Sequence, residues 1–186
     1  MNDLITKARE LAKSQYEKNH APAWNLTELA VKKGEFLAKK HGAIPELVVI
    51  ALYLAHVIFD EDRAGDIQTR HCHLGAEFIK PYLSEWGVSS ADRAIILNAI
   101  EAHHDQVPTE SKEAEVMKNA ECFKFLTLEG ISIFLADLRR RGMTHDEAAE
   151  YALDKMNQKR QLLTLEDCKQ EAEKHRELIL QVLSKY

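Results

Sequence analysis

The stretch that decides the fold is residues 45–60, which read PELVVIALYLAHVIFD. Drawn as a helix, it is apolar on every side, and a helix of that kind has to lie buried among other elements. Its Val/Ile part would also suit a strand, but the run is longer than a typical strand. Pro45 is well placed in a first helical turn. The stretch therefore predicts a central buried helix, with one polar ring, His56, near its C-terminal end.

Helical periodicity continues on both sides of this segment. The predicted helices cover residues 3–18, 25–41, about 71–83, 89 or 90 to 104, 112–126, 128–141, 145–159 and 165–185, with loops at 60–70 and 105–111. A capping box begins at Thr144, and Thr164 is the expected N-cap of the last helix. Pro81 is expected to kink or end its helix. The pattern predicts one all-α domain over residues 1–186, with about eight or nine helices.

Composition narrows the classes of protein that the chain can belong to. Lys and Arg number 25 against 30 Asp and Glu, which gives a net charge of −5. A mildly acidic chain repels a phosphate backbone, so no nucleic-acid partner is expected. The three cysteines (Cys72, Cys122 and Cys168) form no CxxC pair and favour a reducing compartment over a disulfide framework.

Targeting signals are the next consideration. The first residues hold no apolar stretch of the kind found in signal peptides, and the run 47–59 is too short for a bilayer. We therefore expect a cytoplasmic protein that does not associate with membranes. The sequence leaves open whether the chain forms a homo-oligomer.

Four features could hold a divalent metal, which takes imidazole and carboxylate ligands in a partly dry pocket. They are His56, His71, the adjacent pair His103 and His104, and Glu121. Each has an ordinary structural interpretation: His56 as a core histidine, His71 as a solvated residue at a helix start, the pair as a helix-end feature, and Glu121 as a surface carboxylate. Their order and spacing favour a shared site.

That order resembles the HD-domain superfamily of metal-dependent phosphohydrolases. The resemblance covers roughly residues 22–180 and rests on four segments: ALYLAHV at 51–57, HCHLGAE at 71–77, AIEAHHD at 99–105 and VMKNAE at 116–121. In that family a His-Asp pair ends the central helix, and a His before Gly-Ala and a His-His pair hold a second metal. The resemblance implies an HD-type helical bundle, a divalent metal, and a metal-activated water that attacks a phosphoester.

The chain departs from the family pattern at the first metal position. The defining pair is His56-Val57, and a valine side chain offers no ligand atom. The first family histidine would fall near Asn25 or Leu26, and the usual later aspartate is Glu121. These changes should weaken the first metal site severely, because each lost ligand also leaves its neighbours less well oriented.

The ligands of the second metal position are all present. A mononuclear site of His56, His71, His103 and His104 is therefore plausible, with Glu121, Asp60 or Asp105 adding an oxygen. Such a set suits Mn, Fe, Ni, Co or Zn, and affinity alone does not choose among these divalent transition metals. Asp105 and Asp60 are the candidate catalytic carboxylates that would take or orient the proton of the water.

Basic residues near the predicted pocket could bind the phosphate of a small phosphorylated molecule. The candidates are Arg63, Arg70 and Lys118, with Lys124 as a further one, although any single one is more often a solvated surface charge.

Three hypotheses follow. The first is a metal-dependent phosphohydrolase that acts on a small phosphoester such as a nucleotide. The second is a catalytically degenerate HD domain that binds a metal or small ligand without turnover. The third is a purely helical interaction protein, in which the histidines are packing and surface residues and no metal is bound.

Overall fold

A computed structural model describes residues 2–20, 22–58, 67–104 and 107–184, and within these ranges the chain forms nine α-helices and no strand. The helices are α1 (Asn2–Asn19), α2 (Trp24–His41), α3 (Pro45–Leu54), α4 (Ile67–Glu85), α5 (Ser90–Ala102), α6 (Lys112–Phe123), α7 (Leu128–Arg140), α8 (His145–Gln161) and α9 (Glu166–Leu183). The predicted all-α fold is confirmed. No helix in these ranges combines the length and the apolar character that crossing a membrane requires.

Helix α3 lies at the centre of the core. Every residue from Leu47 to Leu54 is buried, so the helix has no solvent face. It packs against α1, α2, α5 and α6, which together surround it. Burying a Leu, Ile or Val side chain stabilises the fold by about 1.5–3 kcal/mol, so this one helix anchors the bundle. Helices α7, α8 and α9 pack on one another, and α8 also contacts α6.

Helix boundaries differ from the predicted ones around the histidines. Helix α3 ends at Leu54, so His56 lies in the turn that follows it and not on the helix itself. Helix α4 begins at Ile67, inside the predicted 60–70 loop, which places His71 in the second helical turn. Helical periodicity did not predict the first turn of α4, because residues 60–70 are mostly charged or polar and show no apolar stripe.

Two predicted helix signals act differently from expectation, and a third is confirmed. Pro81 lies inside α4 without ending it, because the residue and its would-be acceptor Glu77 are both exposed and water can serve the freed carbonyl. Thr164 is not the N-cap of α9, since its hydroxyl accepts from Asn119 Nδ2 at 2.8 Å. The capping box that begins at Thr144 is present as predicted.

Candidate metal centre

Four structural elements bring the candidate ligands together in the interior. His56 comes from the turn after α3, His71 and Cys72 from α4, and Glu121 from α6. His103 is the residue that follows the last turn of α5. These elements meet because α5 packs against α3, α4 and α6.

The histidine cluster consists of His71, Cys72, His103 and His104. Each offers one ligand atom, and these atoms all lie within 4.8 Å of one another. The two Nε2 atoms of His71 and His103 are 3.3 Å apart. Such convergence of nitrogen and sulfur atoms is the donor set that transition metals prefer.

The tautomer of His103 is fixed by a backbone contact. Its Nδ1 lies 2.6 Å from the carbonyl oxygen of Ile100, an atom that can only accept, so Nδ1 carries the proton and donates. Nε2 therefore bears the lone pair and faces His71. A hydrogen bond from the far ring nitrogen to a backbone carbonyl is the usual way in which proteins orient a metal-binding imidazole.

Burial determines the protonation of the cluster. It lowers the pKa of His104, and it lowers that of His103 well below the usual value for histidine, so both rings are neutral near pH 7 and keep a lone pair. Burial raises the pKa of the Cys72 thiol to about 12. Cys72 is thus a protonated thiol and no nucleophile, although its Sγ lies 3.6 Å from His103 Nδ1.

A second group of potential ligands consists of His56, His103 and Glu121. Here the carboxylate is already engaged by two lysines. Lys124 Nζ lies 2.6 Å from Glu121 Oε1, and Lys159 Nζ lies 2.7 Å from Oε2. Lys124 Nζ is also 2.9 Å from His56 Nε2. The side chains of Glu121, Lys124 and Lys159 are at most 2% exposed.

The electrostatics of this lysine–glutamate cluster (Glu121, Lys124 and Lys159) follow from one anion and two cations. Burial alone would raise the pKa of Glu121, but the ammonium groups of Lys124 and Lys159 hold it well below its usual range. Burial lowers the pKa of Lys124. Burial would also lower that of Lys159, yet the attraction of Glu121 raises it. With both lysines charged, the cluster carries one net positive charge beside neutral imidazoles.

Local packing places both lysines. Lys124 is the C-cap residue of α6, and the start of α7 presses against it, because a Cβ at Gly130 would lie 2.0 Å from the Lys124 carbonyl oxygen. Only glycine allows this approach. Lys159 belongs to the buried face of α8, which it shares with Ala148, Ala152 and Met156.

Asn119 holds the end of α8 near this site. Its side-chain Oδ1 accepts from the backbone N–H groups of Thr164 and Leu165, each at 3.1 Å, and its Nδ2 donates to the Glu115 carbonyl at 2.8 Å. These bonds tie the α8–α9 connection to α6. Asn119 is therefore a structural residue that lies two positions before Glu121.

The two ligand groups differ in their fit to a metal ion. The histidine cluster fits a transition metal, because its neutral nitrogens converge and one is already oriented. The His56–Glu121 pair does not fit one as it stands, because ammonium groups contact both carboxylate oxygens and the imidazole nitrogen. Val57 is buried and offers no ligand, and neither exposed Asn25 nor fully buried Leu26 can replace the missing histidine.

The remaining sequence predictions fall in different places. Arg70 is exposed on α4, next to His71, whereas Lys118 is buried on α6 and is therefore not a solvated charge. Asp60, Arg63 and Asp105 lie outside the described residues.

Sequence reasoning missed the part that Lys159 and Cys72 play in the site. The signal for Lys159 was its position in line with the apolar residues of α8. Cys72 directly follows the candidate ligand His71, and both side chains reach the histidine cluster. Helical periodicity does not predict this, because adjacent residues of a helix normally point in different directions.

Comparison with known proteins supports the fold. No protein-family model matches the chain, and no curated protein matches it. A crystal structure of a Lactobacillus plantarum protein has a TM-score of 0.75 and 16% identity, covering 100% of this chain and 95% of that one. The structure of an HD-superfamily hydrolase from Bacillus thuringiensis has a TM-score of 0.68 and 19% identity. The match covers 99% of this chain and 95% of that one.

Bacillus subtilis YpgQ is similar over nearly the same length. Its TM-score is 0.72 at 15% identity, covering 98% of this chain and 93% of that one, and it has also been crystallised with ADP. At these identities the likeness shows the fold alone. The chain therefore shares its helical fold with an HD-superfamily hydrolase.

Proposed function

We propose that this protein is a metal-dependent phosphohydrolase that acts on a small phosphoester through one divalent transition-metal ion. The observation that carries the proposal is the histidine cluster, whose ligand atoms lie within 4.8 Å of one another in the interior of a hydrolase-like fold. His71, His103 and His104 would hold the ion, with Cys72 beside them. The ion would be Mn, Fe, Ni, Co or Zn.

A bound divalent ion would supply Lewis-acid activation of water and of a phosphoryl oxygen. The residues of the chain would supply the rest. The neutral imidazoles that hold the ion would add no negative charge to the site. The lysine–glutamate cluster would add one positive charge, which attracts a phosphate group. Asp60 or Asp105 would accept the proton of the attacking water, and Arg63, Arg70 and Lys118 are the candidates to contact the phosphate.

The substrate class is a small phosphorylated molecule, and a nucleotide is the first to test. YpgQ, which has a similar fold, has been solved with ADP. A polynucleotide is not expected, because the chain carries a net charge of −5. The three buried free cysteines support a reducing compartment, and a cytoplasmic location is part of the proposal.

The test compares two histidines on one helix. His71 is buried in the cluster, whereas His73, two residues further along α4, has a side chain that is 68% exposed and pairs with Glu101. Untagged wild type and His73→Ala should each contain about one transition-metal ion per chain by elemental analysis and hydrolyse nucleotides or simple phosphoesters. Folded His71→Ala should lose both metal and turnover. Wild-type protein that takes up no metal from a panel of the five ions would overturn the proposal.

A second candidate function is ligand binding without turnover. Two observations favour it: Val57 cannot ligate a metal, and the Glu121 carboxylate is fully engaged by lysines. It predicts that the wild type binds one metal ion and a nucleotide, measured by calorimetry, but releases no phosphate from any substrate in the panel.

A further inference from the structure

The Lys124 ammonium group occupies a distinctive position between two acceptor atoms. Its Nζ lies 2.6 Å from Glu121 Oε1 and 2.9 Å from His56 Nε2. An ammonium group can only donate, so His56 Nε2 must accept and bear a lone pair.

The spacing of the two acceptors is that of neighbouring ligands around one ion. His56 Nε2 and Glu121 Oε1 are 3.1 Å apart. Two ligands that each lie about 2.1 Å from an ion, at right angles to each other, are about 3 Å apart. A carboxylate oxygen and an imidazole lone pair this close repel each other unless a cation contacts both. In this chain that cation is the side chain of Lys124.

The second lysine completes the arrangement. Lys159 Nζ takes the other carboxylate oxygen at 2.7 Å and lies 3.4 Å from His104 Nε2. Lys159 therefore links the lysine–glutamate cluster to the histidine cluster, whereas Lys124 contacts both Glu121 and His56. A divalent ion could reach the His56–Glu121 pair only by displacing Lys124.

From this geometry we infer that the Lys124 ammonium replaces a divalent cation at the His56–Glu121 pair, so that the chain binds one metal ion and would bind two without this side chain. The inference relies on the proposed function only for the ion at the histidine cluster. The ion that is blocked belongs to a different pair of ligands.

The experiment counts Mn²⁺ ions per chain in untagged protein. Chelator-treated samples of wild type, Lys124→Ala and Lys155→Ala are loaded with Mn²⁺, passed over a desalting column and analysed for metal. Lys155 is the matched control, because it is another largely buried lysine near this cluster, and burial lowers its pKa to about 8. Its removal takes away nearby charge without opening the space at Glu121.

We expect one ion per chain in wild type and Lys155→Ala, and two in Lys124→Ala. The metal-free Lys124→Ala protein should melt at a lower temperature, and Mn²⁺ should raise its melting temperature more than that of the wild type, because a ligand that binds only the folded state stabilises it. If metal-free Lys124→Ala is unfolded, Mn²⁺ should restore its helical circular dichroism.

Several outcomes would overturn the inference. They are two ions in the wild type, two in Lys155→Ala, no additional ion in folded Lys124→Ala, or failure of Mn²⁺ to refold an unfolded Lys124→Ala. Failure of the proposed function is distinguishable. A wild type without metal would contradict that proposal, whereas a Lys124→Ala protein that gains one ion over it would still support the replacement of a cation by Lys124.

Discussion

Replacing Glu121 by Gln removes the only charge in the lysine–glutamate cluster that balances its two lysines, while it keeps the shape of the side chain. Glu121 is 2% exposed, and Lys124 and Lys159 are as deeply buried. The amide can still accept from one lysine through its oxygen, but its NH₂ group faces the other as a second donor. One ammonium group is then left in the interior without an anion.

The size of the loss can be worked out from lysine protonation. A lysine with an ordinary pKa of 10.5 loses its proton at pH 7 at a cost of about 5 kcal/mol, since each pH unit is worth about 1.4 kcal/mol. This sets an upper bound for one lysine, because a buried cation that cost more would simply deprotonate. Removing one partner of a buried ion pair usually costs about 3–5 kcal/mol. We therefore expect Glu121→Gln to lower the free energy of unfolding by about 3–5 kcal/mol.

The loss should depend on pH with a definite sign. In the variant, the unpaired lysine has a folded-state pKa below the ordinary 10.5 of the unfolded chain, so the unfolded state binds more protons. The stability of the variant then rises with pH above neutrality. In the wild type the pKa of Lys124 is lowered by burial and that of Lys159 is raised by Glu121, so the two lysines change stability with pH in opposite directions. The difference between the two proteins should therefore narrow as pH rises from 7 towards 10.

Urea denaturation of chelator-treated protein, followed by circular dichroism, measures both effects. Glu150→Gln on the exposed face of α8 is the matched control and should change stability by less than about 0.5 kcal/mol. A loss of less than about 1 kcal/mol in Glu121→Gln, or a difference from wild type that does not change with pH, would refute the claim that the lysines are held as buried ammonium ions.

Two further predictions concern polar contacts that connect helices. Asn119→Ala should lower the free energy of unfolding in urea by about 2–4 kcal/mol, because it leaves the backbone N–H groups of Thr164 and Leu165 without their acceptor. The control, Asn157→Ala on the exposed face of α8, should change this free energy very little. Equal losses in the two variants would contradict the structural role of Asn119. Asp167→Asn should lower the free energy of unfolding by about 1–2 kcal/mol at pH 7. Burial would raise the pKa of Asp167, but hydrogen bonds from Lys40 and His41 lower it to about 2. The expected loss is smaller than the full pKa shift implies, because the side chain is 28% exposed and solvent screens its charge. A depressed carboxylate pKa stabilises the fold above about pH 4, so the two proteins should become equally stable as pH falls towards 2, and a constant difference would contradict this origin.

The fold could be predicted because hydrophobic pattern and helix signals agree over most of the chain. Residues 47–54 have no polar face, which leaves burial at the centre as the only solution. The boundaries were less predictable. Pro81 is tolerated inside α4 only because its surroundings are exposed, and whether a given helix turn faces solvent depends on tertiary packing that local sequence does not encode.

The site could be predicted in part. The order and spacing of His71, His103 and His104 in the sequence indicated a shared site, and the ligand atoms of these residues converge in the structure. The charges that surround them could not be predicted in the same way. Lys124 and Lys159 lie 35 residues apart in sequence, and only the packing of α8 on α6 brings them to the same carboxylate.

The engagement of one buried carboxylate by two lysines also constrains how such a sequence can change over evolutionary time. A substitution at Glu121 alone leaves two cations without an anion, and a substitution at Lys124 alone removes the cation that contacts both Glu121 Oε1 and His56 Nε2. Each single step therefore destabilises the protein, and because Lys159 also pairs with Glu121, loss of the carboxylate has to be accompanied by changes at both lysines. In descendants of this chain, these positions should be inherited together or exchanged together, even where the surrounding surface diverges freely.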